Sequence, residues 1–166
     1  NKLKEEDKDD KNIIFANKID FKNISFKFPN KSENIINDLN ISIGKGEYMG
    51  IYGLSGSGKS TFLDILLGLF SPNSGNIIID GKNQSLNSKS WRNKIGYIPQ
   101  NVNLLDDNIL VNISLEKDLS KINLQYINQI IINCELDSFV KNLSNGTQSN
   151  LGERGSRISG GEKQRL

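Results

Sequence analysis

The stretch Gly53-Leu54-Ser55-Gly56-Ser57-Gly58-Lys59-Ser60, followed at once by Thr61, constrains this chain more than any other. Its spacing is G-x-x-x-x-G-K-[ST], the pattern of a phosphate-binding loop. Gly53, Gly56 and Gly58 tolerate positive φ and carry no Cβ, so successive backbone N–H groups can turn inward around a phosphate chain. A helix beginning near Lys59 points its partial positive end at the same anion. Lys59 adds a full charge for the terminal phosphates, and the Ser60 hydroxyl is suited to ligate Mg²⁺. Ser55, Ser57 and Thr61 complete the candidate phosphate-binding set. A Gly/Ser-rich linker with a chance Lys is the competing reading, and the flanks weigh against it. Residues 47–52 read as a short strand. Phe62, Leu63, Ile65, Leu66, Leu67, Leu69 and Phe70 read as a helix apolar nearly all round, hence buried. Strand, loop and buried helix are the setting a nucleotide site requires.

The rest of the composition narrows the classes. With 166 residues and 36% hydrophobic content, one domain with a real core is expected. A net charge of +2 gives no reason to expect nucleic acid or a membrane surface as partner. Cys134 is the one cysteine, which excludes an internal disulfide and a cysteine metal cluster. No apolar run approaches the roughly 20 residues of a membrane-spanning helix. Met49 is the only methionine, so the sequence is expected to be a piece of a longer product. Histidine is absent, and with it the commonest general base and metal ligand.

Residues 1–15 open with a run of mixed charge and read as a solvated linker ahead of a domain at 16–166. Ile19 and Phe21 alternate on one parity, then Ile24, Phe26 and Phe28 on the other. That shift predicts an irregularity near Lys22-Asn23 in a strand that Pro29 stops. Leu39, Ile41 and Ile43 alternate cleanly up to Gly44-Lys45-Gly46, giving two antiparallel strands ahead of the loop. Ser71 to Gly75 is a turn cluster and Ile77-Ile78-Ile79 a short strand. Asp80-Gly81 closes that strand as a turn; an Mg²⁺-organising Asp at a strand end is the alternative. Ser90-Trp91-Arg92 begins a short helical or turn segment, and residues 94–98 read as a strand ending at Pro99-Gln100. From Asn101 to Leu143 the character is helical, with Ile127, Ile130, Ile131 and Cys134 on one face. Cys134 reads as a buried small apolar residue.

A second and third motif add to the loop. Gln100 follows it, and Ser159-Gly160-Gly161-Glu162 lies further on. In this order and spacing the chain, from about Ile19 to Leu166, resembles the nucleotide-binding domain of ATP-binding-cassette (ABC) transporters. The resemblance implies an α/β fold of the P-loop NTPase type: a mixed sheet core, an antiparallel β subdomain and a helical subdomain, incomplete at the C-terminus. It implies ATP and Mg²⁺ as ligands. Phe28, before the first proline, matches the family's adenine-stacking aromatic, with a core strand residue as the plain alternative. Gln100 matches the glutamine that approaches Mg²⁺ and the attacking water. Ser159, Gly160, Gly161 and Glu162 match the signature loop, which caps the ATP of a second copy in a head-to-tail dimer. The family's common loop has Leu and Gln where this chain has Ile158 and Glu162.

Gly152-Glu153-Arg154-Gly155 resembles an exporter motif that lies against the membrane domain, and a surface ion pair is its plain reading. Trp91, residues 95–100 and Leu104-Leu105-Asp106-Asp107 are similar to ABC flippases of lipid-linked sugars. The implied partners are a second nucleotide-binding domain and a transmembrane domain, with the chain on the cytoplasmic face of the membrane. The family's Asp-Glu strand and later His are not in this sequence, so hydrolysis is expected of the longer protein and not of residues 1–166 alone. A DNA-repair ABC ATPase is the first rival, and the missing heptad run argues against it. A nucleotide-binding module without hydrolysis is the second. Importer subunits are the third, disfavoured by residues 152–155.

Overall fold

The computed structural model describes residues 12–152 and 155–166. The first eleven positions of the expected linker, and the pair Glu153-Arg154, lie outside the described residues. The chain divides into two units, Asn1–Gly96 and Tyr97–Leu166.

Strand β1 (Lys18–Phe26) is the middle of the first unit because its apolar residues have a partner on each edge. It pairs antiparallel with β2 (Ile36–Gly44) on one side and β3 (Ser74–Ile79) on the other. A two-residue strand β4 (Lys82–Asn83) completes a sheet of order β2-β1-β3-β4. Ile19, Phe21, Ile24 and Phe26 are all buried, which two parities cannot achieve in a regular strand. The register with β2 shifts between Phe21 and Ile24, where the pattern places the irregularity. Asn23 stands there at φ 52°, its side-chain amide donating to Asp38 Oδ1 at 2.7 Å. Its backbone N–H donates to Asn40 Oδ1 at 3.0 Å. Polar side chains thus take over the ladder groups that the bulge leaves free.

Asp80 forms the β3–β4 turn, and its carboxylate accepts N–H groups from Ala16 (2.6 Å), Asn17 (2.8 Å) and Lys18 (2.9 Å). These bonds, that from Ala16 foremost, hold its carboxyl below the ordinary range. The turn reading therefore stands over the Mg²⁺-organising one, since the oxygens are already engaged. The same clamp draws the end of the expected linker inward. Ile13 is 3% exposed within the core, and Phe15 packs against it. The linker boundary at residue 15 is thus too late.

Helix α1 (Lys59–Leu66) starts where the loop predicts. It buries Thr61, Phe62 and Ile65, with Phe62 edge-on to Phe21 at 5.2 Å between ring centroids. Leu63 and Leu69 stay exposed, so the helix is covered on one face and not all round. Its last carbonyl is held by Trp91, whose Nε1–H donates to Leu66 O at 2.7 Å. Trp91 is 5% exposed and sits in α2 (Lys89–Arg92), the short helix expected there, which Ser88 caps.

Two expected strands do not form. Residues 47–52 and 94–98 have no ladder partner among the described residues, and Tyr48 is 100% exposed. An apolar extended segment becomes a strand only when a neighbour takes its N–H and C=O groups. For the same reason all three ladders are antiparallel, and the parallel pairing of a mixed sheet is not formed among the described residues. Sheet and helices still make the α/β class expected.

The second unit is helical: α3 (Ile109–Ser114), α4 (Leu124–Asn133), α5 (Asp137–Lys141) and α6 (Gly160–Arg165). Leu110, Ile127, Ile131 and Leu136 form its core, with Cys134 partly buried against them. The 127/131 spacing is the apolar face read from the sequence. No helix of the described residues is long and apolar enough to cross a membrane.

Candidate functional site

The phosphate loop joins the sheet's trailing segment to α1, and its geometry follows from the glycines that the motif requires. Gly58 precedes the helix at φ 89°, ψ 7°. A Cβ there would lie 3.0 Å from Ile35 Cγ2 and 3.1 Å from the Ile35 carbonyl, so only glycine fits without displacement. Gly56, at φ 80°, has nothing within 4 Å of a Cβ position, leaving that side of the loop open. No side chain caps α1 and no acidic residue occupies its first turn, so its leading N–H groups and dipole are available to an anion.

Lys59 Nζ donates to the carbonyls of Gly53 (2.8 Å) and Leu54 (2.7 Å), drawing the loop around its own ammonium group. Ser57 N–H donates to Leu54 O at 3.2 Å and closes the turn. Ser55, Ser57 and Ser60 are accessible along this curve, whereas Thr61 is buried and offers an anion only its backbone N–H. The arrangement is a loop closed around one ammonium group beside an uncapped helix start. Among the described residues no group of three or more His, Cys, Asp or Glu could hold a metal. Mg²⁺ keeps its waters and is held by one or two protein groups plus phosphate oxygens, so a lone Ser60 hydroxyl fits it.

Phe28 follows β1 and is half-buried. Its ring stands edge-to-face with Phe26 (5.2 Å, 83°) and with Phe70 (5.6 Å, 88°). Phe26 and Phe70 are themselves stacked at 5.3 Å and 20°. Phe70 carries no motif, and its place beyond α1, just before the Ser71–Gly75 turn, is the one signal that could have found it.

Gln100 belongs to the second unit and is exposed. With residues 101–103, Gly160, Lys163 and Gln164 it lines a groove of about 380 Å³. Ser159 caps α6 through a reciprocal pair with Glu162. Its Oγ accepts from Glu162 N–H at 3.3 Å, while its N–H and its hydroxyl both donate to Glu162 Oε2, at 2.8 and 2.7 Å. The Ser159 hydroxyl foremost, then its N–H, holds the Glu162 carboxyl below its ordinary range. Gly160 and Gly161 are exposed in the first turn.

The sequence matches the ABC transporter family over residues 36–166. It is 36% identical over 152 residues to ABC transporter B family member 13 of Arabidopsis thaliana, an alignment covering 91% of this chain and 12% of that protein. It is 34% identical over 164 residues to the alpha-hemolysin translocation ATP-binding protein HlyB of Escherichia coli O157:H7, covering 97% of this chain and 23% of HlyB. Among solved structures, a bacterial Atm1-family ABC exporter with ATP bound superposes with a TM-score of 0.79 at 30% identity, over 92% of this chain and 27% of that one. The chain thus spans between about an eighth and a quarter of the length of these relatives.

Proposed function

Because this chain belongs to the ABC transporter family, we propose that it is the ATP-binding part of an exporter and that the whole protein hydrolyses ATP to drive transport or lipid-linked flipping. The observation that carries this reading is the cradle of residues 53–60, with Gly58 in the left-handed region ahead of an uncapped helix and Lys59 at its first position. In this reading the loop N–H groups and Lys59 hold the β- and γ-phosphates. The Ser60 hydroxyl would hold Mg²⁺. Mg²⁺ supplies charge neutralisation on the phosphate oxygens when bound. Phe28 stacks on adenine. Ser159, Gly160, Gly161 and Glu162 serve the nucleotide of a second domain in a head-to-tail dimer, on the cytoplasmic face of a membrane through an attached transmembrane domain. Residues 152–155 lean the reading toward export.

Turnover needs a carboxylate to polarise water, and Asp80 is no substitute because three backbone N–H groups hold it. The deciding experiment is calorimetric titration of ATP·Mg²⁺ into the protein and its Lys59→Ala variant. A charge-assisted contact is worth roughly 1.5–3 kcal/mol, so affinity should fall on the order of 10- to 100-fold. Equal affinities would sink the assignment.

A further inference from the structure

We infer that Phe70 is a positioning residue for the nucleobase, holding Phe28 at the angle from which it stacks on adenine; this rests on the adenine role of Phe28 proposed above. Phe28 lies in the hairpin connection after β1, where Lys31 N–H donating to Phe28 O at 3.0 Å is a backbone contact that fixes the chain but not the ring. The ring's plane is set by its neighbours. It stands at 83° to Phe26 and 88° to Phe70, whose own rings lie within 20° of each other. Phe26 is a buried core residue of β1, whereas Phe70 is 36% exposed and lies four residues beyond the end of the helix that begins with Lys59.

Backbone bonds fix Phe70: its own N–H donates to Asp64 O at 3.3 Å, and the turn that follows it extends the β1–β3 pairing. Asn73, three residues on, accepts Lys27 N–H on its Oδ1 at 2.7 Å and donates its own N–H to Ser25 O at 2.9 Å. The turn after α1 is thereby sewn to the end of β1, beside Phe28. One helix therefore has the phosphate cradle at its start and the support of the base-stacking ring beyond its end. A ring free to rotate gives up part of its stacking to ordering cost, and one braced in advance does not.

The test compares ATP with inorganic tripolyphosphate by calorimetry on the full-length protein. Phe70→Ala should weaken ATP about two- to tenfold, the equivalent of one lost edge-to-face contact, and leave tripolyphosphate unchanged. Phe70→Leu keeps apolar bulk without a ring and should lose the same preference if Phe70→Ala does not fold. Phe70→Tyr restores a ring at this exposed position and should bind ATP as the parent does. Equal weakening of both ligands, or failure of Phe70→Tyr to restore ATP binding, overturns the inference in favour of a packing role. Phe28→Ala separates the layers: weaker ATP there with no effect at Phe70 overturns this inference alone. No effect at Phe28 overturns the stacking reading together with it.

Discussion

Helices α1 and α6 both begin in Gly/Ser-rich stretches, yet they treat their free N–H groups in opposite ways. At α1, Gly58 supplies no side chain and the first turn holds Lys59 and Ser60 without an acid. At α6, Ser159 and Glu162 close on each other, so the helix satisfies its own start. A glycine start costs only about a few tenths of a kcal/mol relative to a good side-chain cap. Under the proposed function, a ligand at α1 supplies what the chain omits. The lesson is that a glycine-rich helix start is open to a ligand from the outset only when the chain leaves it unsatisfied. At α6 the Ser159 hydroxyl must leave Glu162 Oε2 before it can donate elsewhere.

The largest expected effect separates the two starts by site of action. Ser159→Arg should abolish ATP-driven association of the full-length protein, followed by light scattering, while each copy still binds nucleotide. Lys59→Ala should do the reverse at its source, lowering binding itself. Equal loss of binding and association in the Ser159 variant would make α6 a structural element and erase the contrast.

Glycine substitution sharpens the comparison at the level of folding. Gly58→Ala places a Cβ at φ 89° against Ile35 and should lower stability by roughly 1–2 kcal/mol, seen as a lower melting temperature. Gly161→Ala meets nothing within 4 Å inside a helical turn and should raise stability by up to about 1 kcal/mol. Matching shifts of the same sign at both positions would contradict the geometry.

Acid gives the smallest effect. The Glu162 carboxyl is depressed by the Ser159 hydroxyl and N–H, so its contribution is fully present above the ordinary carboxylate range and is lost as pH falls through the depressed value. Amide protection factors at the start of α6, corrected for the intrinsic pH dependence of exchange, should therefore fall on acidification. The start of α1 has no titrating cap and should show no such step.

How much of this was legible in the sequence depended on whether the deciding contact was local. The bulge at Asn23 could be read because the parity switch from Phe21 to Ile24 lies within one strand. The start of α1 at Lys59 could be read because Gly58 and Lys59 are adjacent. The ladders expected at 47–52 and 94–98 could not be judged that way, since a strand depends on a remote neighbour that apolar spacing does not specify. Asp80 reaching back to residues 16–18, and Phe70 meeting Phe28, are likewise long-range contacts, and no local pattern specifies the partner.

Trp91 is the chain's only tryptophan, buried and bonded through its indole N–H to the final carbonyl of the phosphate-loop helix, Leu66 O. The sequence thus carries one tryptophan, excitable selectively beside its four tyrosines, wired to that helix. Its emission reports the state of one hydrogen bond without any label: blue-shifted while Leu66 O is engaged, moving to the red when the helix end loosens and water reaches the indole. Ligand arriving at Lys59 can be followed optically from the opposite end of the same eight residues.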